Sequence, residues 1–516
     1  MPTMMRVRRT VRQQMPRERF LMGREVSSGV DASLGGCHHD AIFLRTVTKV
    51  VPKSPNILFL MSDEHRYDVA GFAGDPVIRT PTLDWLAETG AVFGNAYTPS
   101  PVCIPARQSL MSGQLPQTSG CLRYGQDLLP GHETFARTLA RHGYATVACG
   151  KLHHRGADQM QGWTRRIGSD TTIGADAVDN PASEFAERVP SLATVKWSDA
   201  KEVKRAGIGR GPLVAQDEYT LTGALDFIEE FFTDPYYDRP NREQPVLLKV
   251  SLNQPHYPYF ADEERFTHYL NRVTPYLNQP VSEHPFLAQR QVRPGIDATE
   301  VEIRRATAAY YAMVENVDAM FGQVLKALQH QGQDLDDWVI VYTADHGEML
   351  GQHGIWEKQK FYEASARVPL IIRSPQHFGG SHIDANVNLC DLYATLCELA
   401  AHPVPDGLDS RSLVPLMRGE PADWSDESVS HFGDTNLMIK QGHLKYQYYG
   451  EAMPEVLFDL HADPSEERDF VAAPEYREVL AQFRSRRAAL GYGPDADPGY
   501  RNAGYPEVQP MVRGRS

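Results

Sequence analysis

From residue 54 onward, short apolar runs alternate with amphipathic stretches. "NILFLM" is apolar at every position after its asparagine, so it reads as a strand buried on both faces. "YATVACG", "VLLKVSL" and "WVIVYTA" have the same character. Between these runs, "TPTLDWLAETG" predicts a capped helix and "HETFARTLARHG" a helix closed by a glycine turn. "ATAAYYAMVENVDAMFGQVLKALQHQG" predicts a long amphipathic helix. This alternation predicts an α/β fold with a large, mainly parallel mixed sheet and helices on both faces. The pattern changes after about residue 425. There "HLKYQYYG", "PEVLFDLHADPSEERDF" and "PEYREVLAQFRSRRAALG" predict a smaller antiparallel sheet with a terminal helix. The expected units are a large α/β domain over 54–424 and a C-terminal subdomain over 425–490. Residues 1–53 lack periodicity and read as a disordered extension. Residues 491–516, rich in proline, glycine and tyrosine, read as a tail able to contact another subunit.

Composition narrows the function classes. A hydrophobic share of 41% over 516 residues is that of a globular protein with room for more than one packing unit. The net charge of −14 argues against a nucleic-acid partner but leaves room for a locally basic pocket. No apolar run is long enough to span a bilayer, and the arginine-rich first 24 residues lack the apolar core of a secretory signal. Six cysteines, spaced for neither zinc nor disulfides, fit a reducing compartment. Together these features predict a cytoplasmic location and no membrane partner.

In open α/β sheets the ligand site lies beyond the carboxyl ends of the strands. Asp63 and Glu64 follow the first apolar run, Lys151 and His153 the second, His256 the third, and Asp345 and His346 the fourth. Asp63, Glu64, Asp345 and His346 carry donors for a divalent cation. Carboxylates suit calcium, magnesium or manganese, and the imidazole favours manganese. Taken singly, each aspartate reads instead as a helix N-cap. Cys103 stands just ahead of "ARQSLMSG", a short helix ended by Gly113, where backbone N–H groups favour an anion.

At these residues the chain resembles the sulfatase family of the alkaline-phosphatase-like superfamily. "CIPAR" fits the family's C-x-P-x-R signature, and "GYATVACGKLHH" resembles its second signature. "LMSDEHRYD" and "TADHGEMLGQHGIWEKQKFYEASARVPLII" resemble its two metal segments. "DLYATLCELA", "DGLDSRSLVPLMRG" and "LFDLHADPSEERDF" resemble later landmarks, in the family's order, up to about residue 470. "GKLHHRGADQMQGW" and His346 resemble most the branch of choline sulfatases and phosphonate monoester hydrolases.

The resemblance implies that a maturation enzyme converts Cys103 to formylglycine, whose hydrate is the nucleophile. One hydroxyl attacks sulfur, and the other expels sulfate as the aldehyde re-forms. It also implies one divalent cation, calcium ahead of manganese, held by Asp63, Glu64, Asp345, His346 and modified Cys103. Many sulfatases have an aspartate where this chain has Glu64. By the same resemblance Arg107 holds the hydrate and a ligand, and Lys151 and Lys358 neutralise the ester. His153 is the base for collapse, and His256 and Lys358 assist the leaving alcohol. Lys360 is the rival to Lys358. The implied partners are a small anionic sulfate ester and further copies in a homodimer or homotetramer. The rival functions are a phosphonate monoester or phosphodiester hydrolase with the same centre, and a sulfated-ligand binder without turnover. A phosphatase or phosphomutase would carry serine or threonine in place of Cys103. The alcohol part has no motif. Tyr257 and Tyr259 are candidates to line its pocket, and Trp163 and the tail tyrosines to cage a quaternary ammonium.

Overall fold

The computed structural model describes residues 54–168, 199–233, 243–420 and 423–494. The extension over 1–53 and the tail from residue 495 lie outside the described residues. In chain order the strands are β1 (Asn56–Asp63), β2 (Ala91–Tyr97), β3 (Ala145–Gly150), β4 (Arg165–Ile167), β5 (Gly207–Ile208), β6 (Val246–Pro255) and β7 (Phe260–Ala261). They continue as β8 (Trp338–Ala344), β9 (Leu370–Arg373), β10 (Ser381–Asn388), β11 (Glu427–Phe432), β12 (Asn436–Gln441), β13 (Leu444–Tyr449) and β14 (Val456–Asp459).

Among the described residues, eight strands form one sheet in the order β10-β2-β9-β8-β1-β6-β3-β4. Only the short β9 runs antiparallel to its neighbours β2 and β8. Alternate residues of β1 serve opposite faces: Ile57, Phe59 and Met61 join one core, Leu58 and Leu60 the other. β8 divides likewise, with Val339 and Val341 on one side and Trp338, Ile340 and Tyr342 on the other. This double burial is why these strands read as unbroken apolar runs. Helices Phe135–Arg141 and Leu392–Leu399 contribute to the first core. Pro212–Thr233 and Glu300–His330 contribute to the second.

The last helix begins six residues before its apolar repeat. Thr299 and Glu302 form a capping box that starts it at Glu300, so the helical period alone set its start too late. Thr80 precedes helix Pro81–Thr89 but caps it with no side-chain hydrogen bond. Its hydroxyl instead accepts from Gly71 N and donates to Asp84 Oδ1.

β11–β14 form the smaller antiparallel sheet, with helix Arg477–Ala489 packed on it through Leu480 and Phe483. Met438, Tyr449 and Phe458 of that sheet share a core with Phe361 and Tyr362, which lie just beyond Lys358. No helix among the described residues is long and apolar enough to cross a membrane.

Candidate active site

Strands β8, β1, β6 and β3 are neighbours and run parallel, so their carboxyl ends share one edge of the sheet. That edge gathers Asp63, Lys151, His153, His256, Asp345 and His346 from four distant stretches of chain. Neither aspartate opens a helix: Asp63 ends β1, and Asp345 directly follows β8.

Cys103 is the first residue of helix Cys103–Ser112, three positions earlier than the apolar pattern sets its start. Pro105 lies in the first turn, where a missing N–H loses no helical hydrogen bond. Gly113, at φ 65°, closes the helix by donating its N–H to the Ser109 carbonyl.

One ligand atom from each of Asp63, Cys103, Asp345 and His346 lies within 4.8 Å of the others, and all four residues are buried. Cys103 Sγ is 3.1 Å from His346 Nε2 and 3.7 Å from Asp63 Oδ1. His346 Nδ1 donates to the Gly347 carbonyl at 3.0 Å, which leaves the Nε2 lone pair facing the cysteine.

Arg107 reaches two of the candidate ligands, Asp63 and Asp345. It donates from Nη2 to Asp63 Oδ2 at 2.9 Å and from Nε to Asp345 Oδ2 at 2.7 Å. Nη1 donates to the Lys151 carbonyl and to Ser251 Oγ. Arg107 therefore clamps the two aspartates together and fastens them to Ser251 of β6 and to the residue after β3, with one Nη2 hydrogen left over. Lys151 Nζ is 2.8 Å from Asp63 Oδ2. Burial alone would raise the Asp63 pKa, but Lys151 and Arg107 override it and hold the carboxyl well below its usual range. Burial first, and Asp63 second, push the Cys103 thiol well up. At neutral pH the unmodified residue is a thiol and not a thiolate nucleophile.

Glu64 stands apart from the four-residue group. It forms a second cluster with Asp63 and His256. Its Oε2 accepts from Lys358 Nζ at 2.6 Å, while its buried Oε1 has no hydrogen-bond partner among the described residues. An orphaned carboxylate oxygen beside Asp63 is an atom that a hard cation would satisfy. With Asp63, Asp345 and an imidazole of fixed tautomer, the donor set fits one divalent cation.

Lys358 Nζ also lies 2.7 Å from His256 Nε2 and 4.7 Å from the Tyr257 ring centre. His256 Nδ1 donates to the Tyr257 carbonyl, so Nε2 accepts from Lys358. Burial, with Lys358 and Lys151 nearby, lowers the His256 pKa well below its usual value and keeps the ring neutral. Burial would lower the Lys358 pKa, but Glu64 overrides it, and the ammonium keeps its proton. Lys360 points elsewhere: it donates to the Phe286 carbonyl and lies 3.9 Å from the Phe286 ring centre. Burial lowers its pKa to about 7. His153 is neutral as well, held well below its usual pKa by burial, then by Lys151 and Arg107.

Backbone strain collects at the same place. Glu64 (φ 66°), His153 (60°), Glu357 (68°) and Gln359 (75°) all occupy the left-handed region, the last two flanking Lys358. Each costs on the order of 1–3 kcal/mol, which the surrounding contacts must offset. Two glycines are steric requirements. A Cβ on Gly150 would lie 2.2 Å from the Ser251 carbonyl, and one on Gly347 2.0 Å from that of Ala364.

Among the remaining expectations, Tyr257 borders Lys358, whereas Tyr259 is fully buried and donates to Glu348. Trp163 packs edge-on against Phe135 inside the first core, which removes it as a cage for a quaternary ammonium. Cys121, Cys149, Cys390 and Cys397 are buried and free, as core residues. Sequence reasoning missed Ser251, Tyr310 and Glu348. Tyr310 donates to the Glu64 carbonyl at 2.7 Å, and Glu348 accepts from the backbone N–H of Glu357. Glu348 had one local signal, its place three residues after Asp345; Ser251 and Tyr310 had none.

The family model described as Sulfatase matches residues 55–402, and that described as N-sulphoglucosamine sulphohydrolase, C-terminal, matches 351–491. The chain is 31% identical to choline-sulfatase of Rhizobium meliloti (strain 1021) over 452 residues, covering 84% of this chain and 86% of that protein. It is 28% identical to arylsulfatase K of Bos taurus, over 84% of this chain and 81% of the relative. Among solved structures, phosphonate monoester hydrolase of Agrobacterium radiobacter superposes with a TM-score of 0.69 at 21% identity, covering 84% of this chain and 94% of that one. A protein solved in complex with its substrate D-glucosamine-2-N,6-O-disulfate gives 0.68 at 20% identity, over 84% and 97%. At that identity the structures establish a shared alkaline-phosphatase-like fold, while the family model and the curated relatives carry the identification: the chain belongs to the sulfatase family.

Proposed function

We propose that this sulfuric ester hydrolase cleaves the sulfate ester of a small alcohol, with Cys103 converted to formylglycine and one divalent cation at the strand ends. The observation that carries the reading is the position of Cys103. It opens a helix within reach of Asp63 and His346, on an edge where Lys151 and Lys358 supply positive charge. Asp63, Asp345, His346 and the modified residue 103 would hold the cation, with Glu64 able to add an oxygen. The hard oxygens support calcium over manganese. When bound, the cation supplies Lewis acidity, and the aldehyde hydrate supplies a nucleophile with a built-in leaving path for sulfate.

The chain's own residues divide the remaining work. Arg107 holds Asp63 and Asp345 in register. Lys151 and Lys358 bring positive charge to the anionic ester. Lys358 carries the proton that a departing alkoxide needs, and His256 orients that ammonium by accepting one of its hydrogens. His153, neutral beside Lys151, takes the proton released as the sulfated intermediate collapses. Lys358→Ala is expected to lower kcat by on the order of 10²–10³-fold. Lys360→Met should leave kcat little changed and lower the melting temperature, because it strips Phe286 of its buried donor.

Phosphonate monoester hydrolysis is the second reading, supported by the fold shared with phosphonate monoester hydrolase of Agrobacterium radiobacter. Both esters present a tetrahedral anion to the same charges. Rates measured side by side on an aryl sulfate, choline sulfate and a phosphonate monoester separate the two. The expected order places either sulfate ester above the phosphonate in kcat/KM; a faster phosphonate overturns the sulfatase preference.

A further inference from the structure

Most of the ionisable groups at the strand ends are buried, and Tyr124 is an aromatic side chain that reaches from one of them towards solvent. Tyr124 stands edge-on to the His153 ring, with centroids 6.1 Å apart and planes at 87°. Its own residue is 37% exposed, whereas His153 is 2% exposed. Tyr124 therefore forms part of the rim beside a residue of the centre. Its loop is fixed from below: Asp127 accepts from the backbone N–H groups of Arg155 and Gly156 at 2.7 and 2.6 Å. Gln161 also donates to Asp127. The loop of Tyr124 and the segment after His153 are thus bound as one unit.

Arg155 sets the electrostatics of this rim. Its guanidinium carbon lies 5.2 Å from the Tyr124 ring centre, and Nη1 donates to the Tyr124 hydroxyl at 3.3 Å. One of the ring's two negative faces is already used by a largely buried cation. A second cation on the same ring would meet like charge across it. A planar, uncharged ring has no such penalty and gains a stacking or edge contact.

Resting on the sulfatase reading, we infer that Tyr124, backed by Arg155, is a specificity-determining residue of this site, favouring an aromatic alcohol part and disfavouring a cationic one. This separates the chain from the choline-sulfatase it resembles in sequence. The preference comes from one rim residue, Tyr124, and its buried partner Arg155, which lies two residues after His153.

The test compares phenyl sulfate with choline sulfate, each as a ratio of variant to wild type, so that the intrinsic reactivity of the two leaving groups cancels. Tyr124→Ala is expected to lower kcat/KM for phenyl sulfate by about 3- to 10-fold, chiefly through KM. It should leave choline sulfate unchanged or improve it. Tyr124→Phe keeps the ring and should restore phenyl sulfate. Arg155→Gln should raise kcat/KM for choline sulfate relative to phenyl sulfate. Equal losses on both esters in Tyr124→Ala, or no rescue by phenylalanine, overturn the inference while the sulfatase reading stands. Wild-type protein that carries formylglycine at position 103 and cleaves neither ester overturns both.

Discussion

Cys103→Ala is expected to abolish turnover, by on the order of 10⁴-fold or more, while the protein stays folded. The side chain is fully surrounded, with Sγ near His346 and Asp63, so alanine removes one atom from a rigid pocket. The stability cost of such a deletion is about 1 kcal/mol, small beside the catalytic loss. The loss is large because no other group near the cluster can replace the nucleophile. Asp63 is committed to Arg107 and Lys151, and Glu64 to Lys358. The high thiol pKa also makes a direct cysteine mechanism unfavourable, so activity should track modification. Peptide mass analysis of active protein should find formylglycine at position 103. An active preparation containing only cysteine there refutes the mechanism.

The second large effect concerns the cation. Asp345→Asn should weaken metal affinity by at least about 100-fold, read by titrating metal-free protein with calcium and by elemental analysis. Asp345 does three things at once. Its Oδ1 accepts the N–H groups of Glu64 and His346, both at 3.1 Å, and its Oδ2 accepts from Arg107. Asparagine keeps one oxygen, but its amide group must point either at those backbone donors or at the guanidinium. Donor then faces donor, and a buried cation loses one of its two counter-charges. Breaking a buried ion pair costs about 3–5 kcal/mol, and Asp63 softens that loss here by keeping its own bond to Arg107. The variant should therefore melt lower even without metal. In the wild type, exhaustive chelation should abolish activity, and added calcium or manganese should restore it. Full activity with no metal detectable excludes the assignment.

The chain's local chemistry determined a good deal by itself. Strands buried on both faces have no polar face to show, so β1, β3, β6 and β8 stand out as unbroken apolar runs. Ionisable residues at the carboxyl ends of such runs stand where open α/β sheets place their ligands, which made Asp63, Lys151, His256 and Asp345 candidates. The end of the short helix at Gly113 follows from a short-range backbone requirement, whereas its start at Cys103, three residues ahead of "ARQSLMSG", was not legible. The order of the strands does not. Nothing in the run around Asp63 says that the strand ending at Asp345 pairs with it, because parallel pairing joins segments far apart in the chain. Only that pairing let Arg107 close on both aspartates. It also drew Lys358 rather than Lys360 to Glu64, although the two lysines lie on one short segment with no periodicity to separate them. Aromatic residues were the least legible. Trp163 and Tyr259 went into the core, and Tyr124 to the rim, because a ring's surroundings depend on which distant surfaces the fold brings against it, and a side chain's own chemistry does not encode them.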